Sequence, residues 1–462
     1  MKKNIRHMLP LLLSVLLLHG CSKGEEPPLL PEGGGQWIGR TDFSTPDNII
    51  AYYKSQLDKE TIEKAPETMY REKLSSSEIE SERATLWELW KQANAERLER
   101  AGMSTTNTGN KPVWKIPQNE QMKVAIFAKG NRPSEGYPMI IQLHGGGAYP
   151  ETTSAWGSNV NEGEWYESLR LAREYQDAPS LYIVPRMADD RRGRWYYTPQ
   201  IQAFRRAYQL GVLSGNVNPN RVYLTGISEG GYGSLSLATF MPDYWAAVGP
   251  LAAATKPSEQ IIGLRNIAFR LEVGERDSDY GRNVYAYQWE EAMEKLRKEN
   301  PGEFTSEVII QRGRDHFITY TDMTPWLIRH SRRVNPDHVS YVYHNIAPDA
   351  GNGYSTFSQG VYNLDFRKLH PASNKARLQI DVRRNGNTFD ITTKEVSEGV
   401  TGFLGLYLAQ VDFTKPILVR LNGKPVYEKQ VIPSRGTMVE SISLFGDPER
   451  IFAGKIEIRL NK

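Results

Sequence analysis

With a single cysteine in 462 residues, the chain can form no internal disulfide and build no cysteine-rich metal site. It also lacks an excess of either charge. Its 57 Lys and Arg stand against 54 Asp and Glu, a formal charge of +3, too even for a chain whose main partner is nucleic acid. No HExxH pair, no His pair at ligand spacing, no Walker or dinucleotide glycine motif and no internal repeat occurs. The sequence therefore calls for no metal and no cofactor. What it does contain is core material: 39% apolar residues, 10 Trp, 24 Tyr and 14 Phe. That excludes a chain disordered throughout, and at about 100–200 residues per domain the length implies several domains.

The cysteine is informative because of its place. Met1-Lys2-Lys3-Asn4-Ile5-Arg6 is basic, residues 8–18 are apolar with an interruption at Pro10, and the stretch ends Leu18-His19-Gly20-Cys21. A basic start, a short apolar run and a small residue before a cut describe a secretory signal, and the run is shorter than the ~18 residues of a spanning helix. Leu18-His19-Gly20-Cys21 resembles the lipobox of bacterial lipoproteins. The resemblance implies lipidation of Cys21 as the first mature residue, so that acyl chains alone hold the protein on a membrane. Residues 22–36 are rich in Pro, Gly and Glu and read as a tether. Glu25-Glu26 resembles a short export signal of some Gram-negative surface lipoproteins. The expected location is the bacterial cell envelope, as an outer-membrane lipoprotein on its periplasmic face or the cell surface.

Residues 37–110 look helical. From Ser77 to Gly102, the residues Ile79, Leu86, Leu89, Trp90, Ala93 and Leu98 fall near one face, and Gly102 is a stop signal. From Lys111 the texture changes. Strand-like runs at 122–128, 139–143, 181–184, 221–225, 246–248, 268–273 and 308–311 are joined in large part by helix-like runs at 164–175, 200–213, 234–240, 284–299 and 324–330. Such alternation predicts an α/β domain with a mainly parallel sheet over 111–335. After about Pro336 the pattern predicts no more helices. Alternating Val, Ile and Thr runs, punctuated by Asn385-Gly386 and Asn422-Gly423, predict a small antiparallel β-sandwich over 336–462. The expected plan is thus signal 1–20, lipid-anchored tether 21–36, helical segment 37–110, catalytic domain 111–335 and β-sandwich 336–462.

Gly226-Ile227-Ser228-Glu229-Gly230 has the form G-x-S-x-G, directly after a strand and ahead of Gly231-Tyr232-Gly233 and a helix. A serine on a sharp strand-to-helix turn needs small neighbours, and its hydroxyl projects from the C-terminal sheet edge. Upstream, a strand runs into His144-Gly145-Gly146-Gly147, where bare backbone can turn N–H donors toward a developing oxyanion. His316, in Gly313-Arg314-Asp315-His316-Phe317 just past a strand, is the best general base. For the acid, Gly274-Glu275-Arg276-Asp277 puts Asp277 directly on a strand end and is favoured over Asp279.

The order Ser228, Asp277, His316 is that of α/β-hydrolases. Residues from about 111 to 335, and 218–228 in particular, resemble the secreted bacterial esterase branch: feruloyl esterases, polyhydroxybutyrate-depolymerase-like enzymes and prolyl-oligopeptidase-type catalytic domains. The β tail is similar to one appended to some bacterial hydrolases of this kind. The resemblance implies that Ser228 attacks an acyl carbon, His316 moves its proton and Asp277 orients His316. It also implies that the Glu229 N–H joins Gly146 and Gly147 in an oxyanion hole.

Residues 185–197, after a strand, carry Arg186, Arg191, Arg192 and Arg194 against only Asp189 and Asp190, followed by Trp195 and two tyrosines. The surplus positive charge leads to the expectation that Arg191 and Arg194 bind a carboxylate of the substrate while Trp195 stacks on a sugar. The leading reading is a serine carboxylic-ester hydrolase acting on polysaccharide side groups at the cell envelope, with an ester-bearing and possibly acidic glycan as its partner. Two alternatives stay open: a prolyl-oligopeptidase-type peptidase, for which no propeller repeat precedes the domain, and an inactive glycan-binding lipoprotein.

Overall fold

The computed structural model describes residues 44–57, 59–103, 111–346 and 356–460. Cys21, the signal-like leader and the tether lie outside the described residues. All of the described residues fall in one unit, Asp42–Lys462. The chain begins with helices α1 (Pro46–Gln56), α2 (Glu67–Arg71) and α3 (Ile79–Arg100). Thr45 caps α1 by accepting from the Asn48 N–H, and Pro46 fits the first turn, where no N–H is needed. In α3 the expected stripe Ile79, Leu86, Leu89, Trp90 and Ala93 is buried, and Tyr53 of α1 meets Trp90 edge-on at 5.1 Å.

An eight-stranded sheet follows: β1 (Val113–Ile116), β2 (Glu120–Lys129), β3 (Tyr137–Leu143), β4 (Ser180–Pro185), β5 (Val217–Ile227), β6 (Ala247–Leu251), β7 (Ala268–Gly274) and β8 (Ser306–Gln311). Its order is β1-β2-β4-β3-β5-β6-β7-β8. β2 runs antiparallel to β1 and β4, and every other neighbouring pair is parallel. β3 and β4 are buried along their whole length, as parallel strands covered on both faces must be. Helices α4 (Asn159–Glu174), α5 (Thr198–Leu213), α6 (Glu229–Phe240) and α7 (Arg282–Glu299) connect strands of this sheet, and α8 (Met323–Leu327) follows its last strand. The sheet is mainly parallel with helices between its strands, as the alternation of strand-like and helix-like runs predicted.

The C-terminal region holds two further sheets. One contains β9 (His338–Tyr343), β12 (Arg377–Asn385), β13 (Thr388–Ser397), β15 (Ile417–Leu421) and β16 (Lys424–Lys429). The other contains β10 (Gly360–Val361), β11 (Leu364–Pro371), β14 (Val400–Tyr407) and β17 (Lys455–Leu460). Tyr341, Ile380, Phe389 and Val419 of the first share a core with Leu364, Phe366, Leu404 and Ile458 of the second. Two features depart from the expectation of an all-antiparallel, helix-free region. β13 and β15 pair in parallel. More consequentially, helix α9 (Arg435–Phe445) interrupts the strands. It is buried from Gly436 onward, so it shows no amphipathic period to read. Ser434 caps it by accepting from the Thr437 N–H, and Gly446 closes it with a left-handed φ of 60°.

α9 packs on α1, α2 and α3, and its Met438, Val439 and Ile442 belong to the same core as the large sheet. Arg435 pairs with Glu72 and Glu82, and the Leu74 N–H donates to Pro433 O at 3.0 Å. A buried ionic cluster joins the same parts. Arg332 donates to Asp447 Oδ2 at 2.6 Å and to the Asp243 carbonyl at 3.0 Å, while Arg450 binds both Asp447 and Asp243. Burial alone would raise the Asp447 carboxyl, but the two guanidinium groups hold it well below its ordinary range.

Candidate active site

β5 ends at Ile227 and α6 begins at Glu229, which leaves Ser228 alone on the turn with φ 55° and ψ −115°. A serine in that region is strained. The turn is held by the Ser228 N–H donating to Leu251 O (2.9 Å) and by the Tyr232 N–H donating to Ser228 O (3.0 Å). Helix and strand approach so closely that a Cβ at Gly226 would strike the Gly230 backbone, and one at Gly230 would strike Leu143. This is why the pattern needs glycine at both places.

Two other strand ends bring in partners. The Ser228 hydroxyl lies 3.0 Å from His316 Nε2, and His316 Nδ1 lies 2.8 Å from Asp277 Oδ2. The Asp277 contact assigns the proton to Nδ1 and leaves Nε2 free to accept from the hydroxyl. The loops carrying Asp277 and His316 are laced together: the Glu275 N–H donates to Gln311 O, Arg276 N–H to Arg314 O, and Gly313 N–H to Glu275 Oε2. Asp277 is buried, whereas Asp279 is exposed and starts a short turn. The second oxygen of Asp277 accepts from Arg282 Nη1 at 2.7 Å, and Arg282 Nε donates to the Tyr232 hydroxyl at 2.8 Å. The sequence reading missed Arg282. Its position at the start of α7, five residues after Asp277, was the available signal.

The glycine turn after β3 corrects one expectation. The Gly147 N–H, assigned to an oxyanion hole, donates instead to Asn161 Oδ1 at 3.0 Å, and Asn161 Nδ2 returns a bond to Gly147 O. Gly146 sits beside it at φ 99°, and the Glu229 N–H, first in α6, is one of the orphaned donors of a helix start. His144 is a strut. It is buried, its Nδ1 donates to Gly145 O, and its Nε2 accepts from the Met187 N–H at 3.0 Å. Burial, with help from nearby Arg186, pulls its pKa down to about 3.

The arginine-rich loop corrects more. Trp195 is fully buried, meets His144 edge-on at 4.9 Å and donates its Nε1–H to His144 O, so it has no face to offer a sugar. Each of the four arginines has a carboxyl partner. Arg186 is buried and bidentate to Asp190 (2.6 and 2.8 Å), with Glu162 on its Nε. Arg191 forks onto Asp189 at 2.9 and 2.7 Å, so it is not free to grip a substrate carboxylate. Arg192 pairs with Glu120. Arg194 pairs with Glu229 at 2.6 Å. Glu120, Glu162 and Glu229 come from other parts of the chain, so a count confined to the loop could not include them. Of the four, Arg194 alone reaches the nucleophile turn.

Two carboxyls at the site depart from ordinary behaviour. Burial pushes Glu229 up to about 7, although Arg194 and Arg282 pull it down. Glu164, on α4 and facing Gly145, is also raised by burial, while nearby His316 opposes the shift. Cavities of about 560 and 630 Å³ open elsewhere, and neither is lined by Ser228, His316 or Asp277.

Residues 117–341 match the family model described as Esterase: Putative esterase. No curated protein matches the chain. Among solved structures, the chain is similar to a thermostable esterase at 18% identity and a TM-score of 0.35, over 48% of this chain and 63% of that one. It thus spans under two thirds of that structure. It is also similar to a feruloyl esterase module from Clostridium thermocellum complexed with sinapinate, at 14% identity and a TM-score of 0.33, over 48% of this chain and 89% of the other. A fluorophosphonate-binding serine hydrolase from Staphylococcus aureus follows at 13% and 0.33, over 47% and 97%.

Proposed function

We propose that this chain, an ester-hydrolysing α/β-hydrolase with an esterase-family match over 117–341, cleaves its esters through an acyl-enzyme on Ser228. The observation that carries the reading is the unbroken relay from the Ser228 hydroxyl through His316 to Asp277, at 3.0 and 2.8 Å. As His316 Nε2 takes the hydroxyl proton, Ser228 Oγ bonds to the acyl carbon and the carbonyl electrons move onto oxygen. The N–H groups of Gly146 and Glu229 stabilise that oxyanion, each worth about 3–4 kcal/mol in such sites. The imidazolium, held by Asp277, gives its proton to the departing alkoxide. Water then repeats the sequence on the acyl-enzyme and releases the acid. Arg282 acts as a positioning residue by holding the second Asp277 oxygen.

The substrate class of this reading is an ester on a polysaccharide side group, and the setting is the cell envelope, with the protein held by acyl chains on Cys21. The export-like leader supports that setting, and an enzyme tethered outside the cell meets glycans before it meets metabolites. Ester chemistry is tested with a fluorophosphonate probe and p-nitrophenyl acetate. Ser228→Ala is expected to abolish labelling and to lower kcat by about 10⁴–10⁶. Labelling that persists in the variant would remove Ser228 as nucleophile.

A further inference from the structure

Among the described residues, the two most exposed large apolar side chains flank the proposed relay. Tyr280, 82% exposed, lies three residues after Asp277, and Phe317, 76% exposed, directly follows His316. One stands on each of the two loops that carry the acid and the base of the relay. Tyr280 carries a second, independent signal. It holds φ 56° and ψ 15°, a left-handed conformation that a bulky residue adopts only under strain. Strain of this kind concentrates at functional sites.

The Tyr280 ring is also fixed relative to the chemistry. The Arg282 guanidinium covers one face at 5.0 Å while the same group holds Asp277, so the other face is left open. Phe317 is tied through its N–H to Asp315 Oδ1 at 2.9 Å, and its ring centroid lies 6.2 Å from that of His316.

We propose that Tyr280 and Phe317 form an open platform on which a pyranose ring of the glycan ester stacks, presenting its ester group to Ser228. The inference rests on the reading of the protein as a glycan esterase. An aromatic acyl group needs an enclosed slot to lose its water. A sugar, apolar on its C–H faces and polar at its rim, stacks on aromatic rings that are three-quarters exposed and stays hydrated at its hydroxyls.

The test compares acetylated xylo-oligosaccharide with p-nitrophenyl acetate, which has no sugar, on the full chain. For Tyr280→Ala and Phe317→Ala the ratio of the two kcat/KM values is expected to fall about five- to tenfold, through KM for the oligosaccharide. Tyr280→Phe and Phe317→Tyr, which keep a ring, are expected to restore it. An unchanged ratio in both Ala variants overturns the platform, and so does a loss that falls equally on both esters. A dimer that becomes a monomer in Tyr280→Ala, with the ratio intact, overturns it in favour of a second copy of the chain as occupant. Wild-type activity on p-nitrophenyl acetate with none on the oligosaccharide overturns the glycan reading and the platform together. A wild type inactive on both esters rejects the esterase reading and, with it, the platform that rests on it.

Discussion

Glu229→Gln separates burial from ion pairing at the residue next to the nucleophile. Glu229 is buried, its Oε2 accepts from Arg194, and its Oε1 has no hydrogen-bond partner among the described residues. Burial outweighs Arg194 and Arg282 and lifts its pKa from 4.5 to about 7. Between these values the folded protein keeps a proton that the unfolded chain has released. The stability linked to that proton is fully present below about pH 4.5 and is lost as pH rises through about 7, an amount on the order of 3 kcal/mol. Glutamine cannot titrate. It leaves an amide N–H₂ where Oε1 found no partner, at about 1–2 kcal/mol, but that cost does not change with pH. The expected result is a gap between wild type and Glu229→Gln that moves in the variant's favour by about 2–3 kcal/mol from pH 5 to pH 8. Unfolding of both proteins across that range, followed by circular dichroism, measures it. Groups that titrate in both proteins cancel in the difference. Parallel curves would refute the argument, because Glu229 would then be ionised throughout, with Arg194 the stronger influence.

Asp277→Asn is expected to lower kcat by about 10⁴ with the fold intact, since the imidazole loses its orienting acceptor, whereas Asp279→Asn stays near wild type; steady-state kinetics on p-nitrophenyl acetate rank the two. Asp447→Asn leaves Arg332 and Arg450 buried with half their counter-charge and should cost about 3–5 kcal/mol, read as a lowered Tm with kcat unchanged at temperatures where the protein is folded. Cys21→Ser is expected to shift the protein from the membrane fraction to the soluble one, or to leave it unprocessed; intact-mass analysis of the mature chain decides, and an unmodified Cys21 in a soluble wild type would end the lipid-anchor proposal.

What could be read from sequence followed what is local. Ser228 was legible because its turn is constrained by near neighbours: a strand, two glycines in contact and a helix start. His316 and Asp277 were legible because strand ends in a parallel sheet converge on one edge. Pairings across the sheet were not legible. The partners of Arg192 and Arg194, and Glu162 beside Arg186, lie far away in sequence, so counting charges within residues 185–197 left positive charge unaccounted for. Trp195 looked like a surface aromatic on a loop, yet it fills the space beside Gly233, whose missing side chain admits it. Gly147 looked like a free donor because nothing nearby announces Asn161, on the helix that follows. α9 escaped for the opposite reason, since a helix buried on every side has no polar face to set its period.

The seating of α9 has a consequence for how the molecule comes into being. Residues near 46–100 are the earliest described ones to be made, and they close against a helix that is among the last. Arg332 and Asp243, midway along, wait for Asp447 and Arg450 to neutralise them. A nascent chain stalled before residue 435 would hold a nearly complete large sheet whose core lacks Met438, Val439 and Ile442. Such an intermediate exposes apolar core and leaves Arg332 and Asp243 without Asp447 and Arg450, so closure of the core waits on residues 435–450, well after the last strand of the large sheet. Truncation before residue 435 therefore acts on the closing of the large sheet's core and not only on the β region.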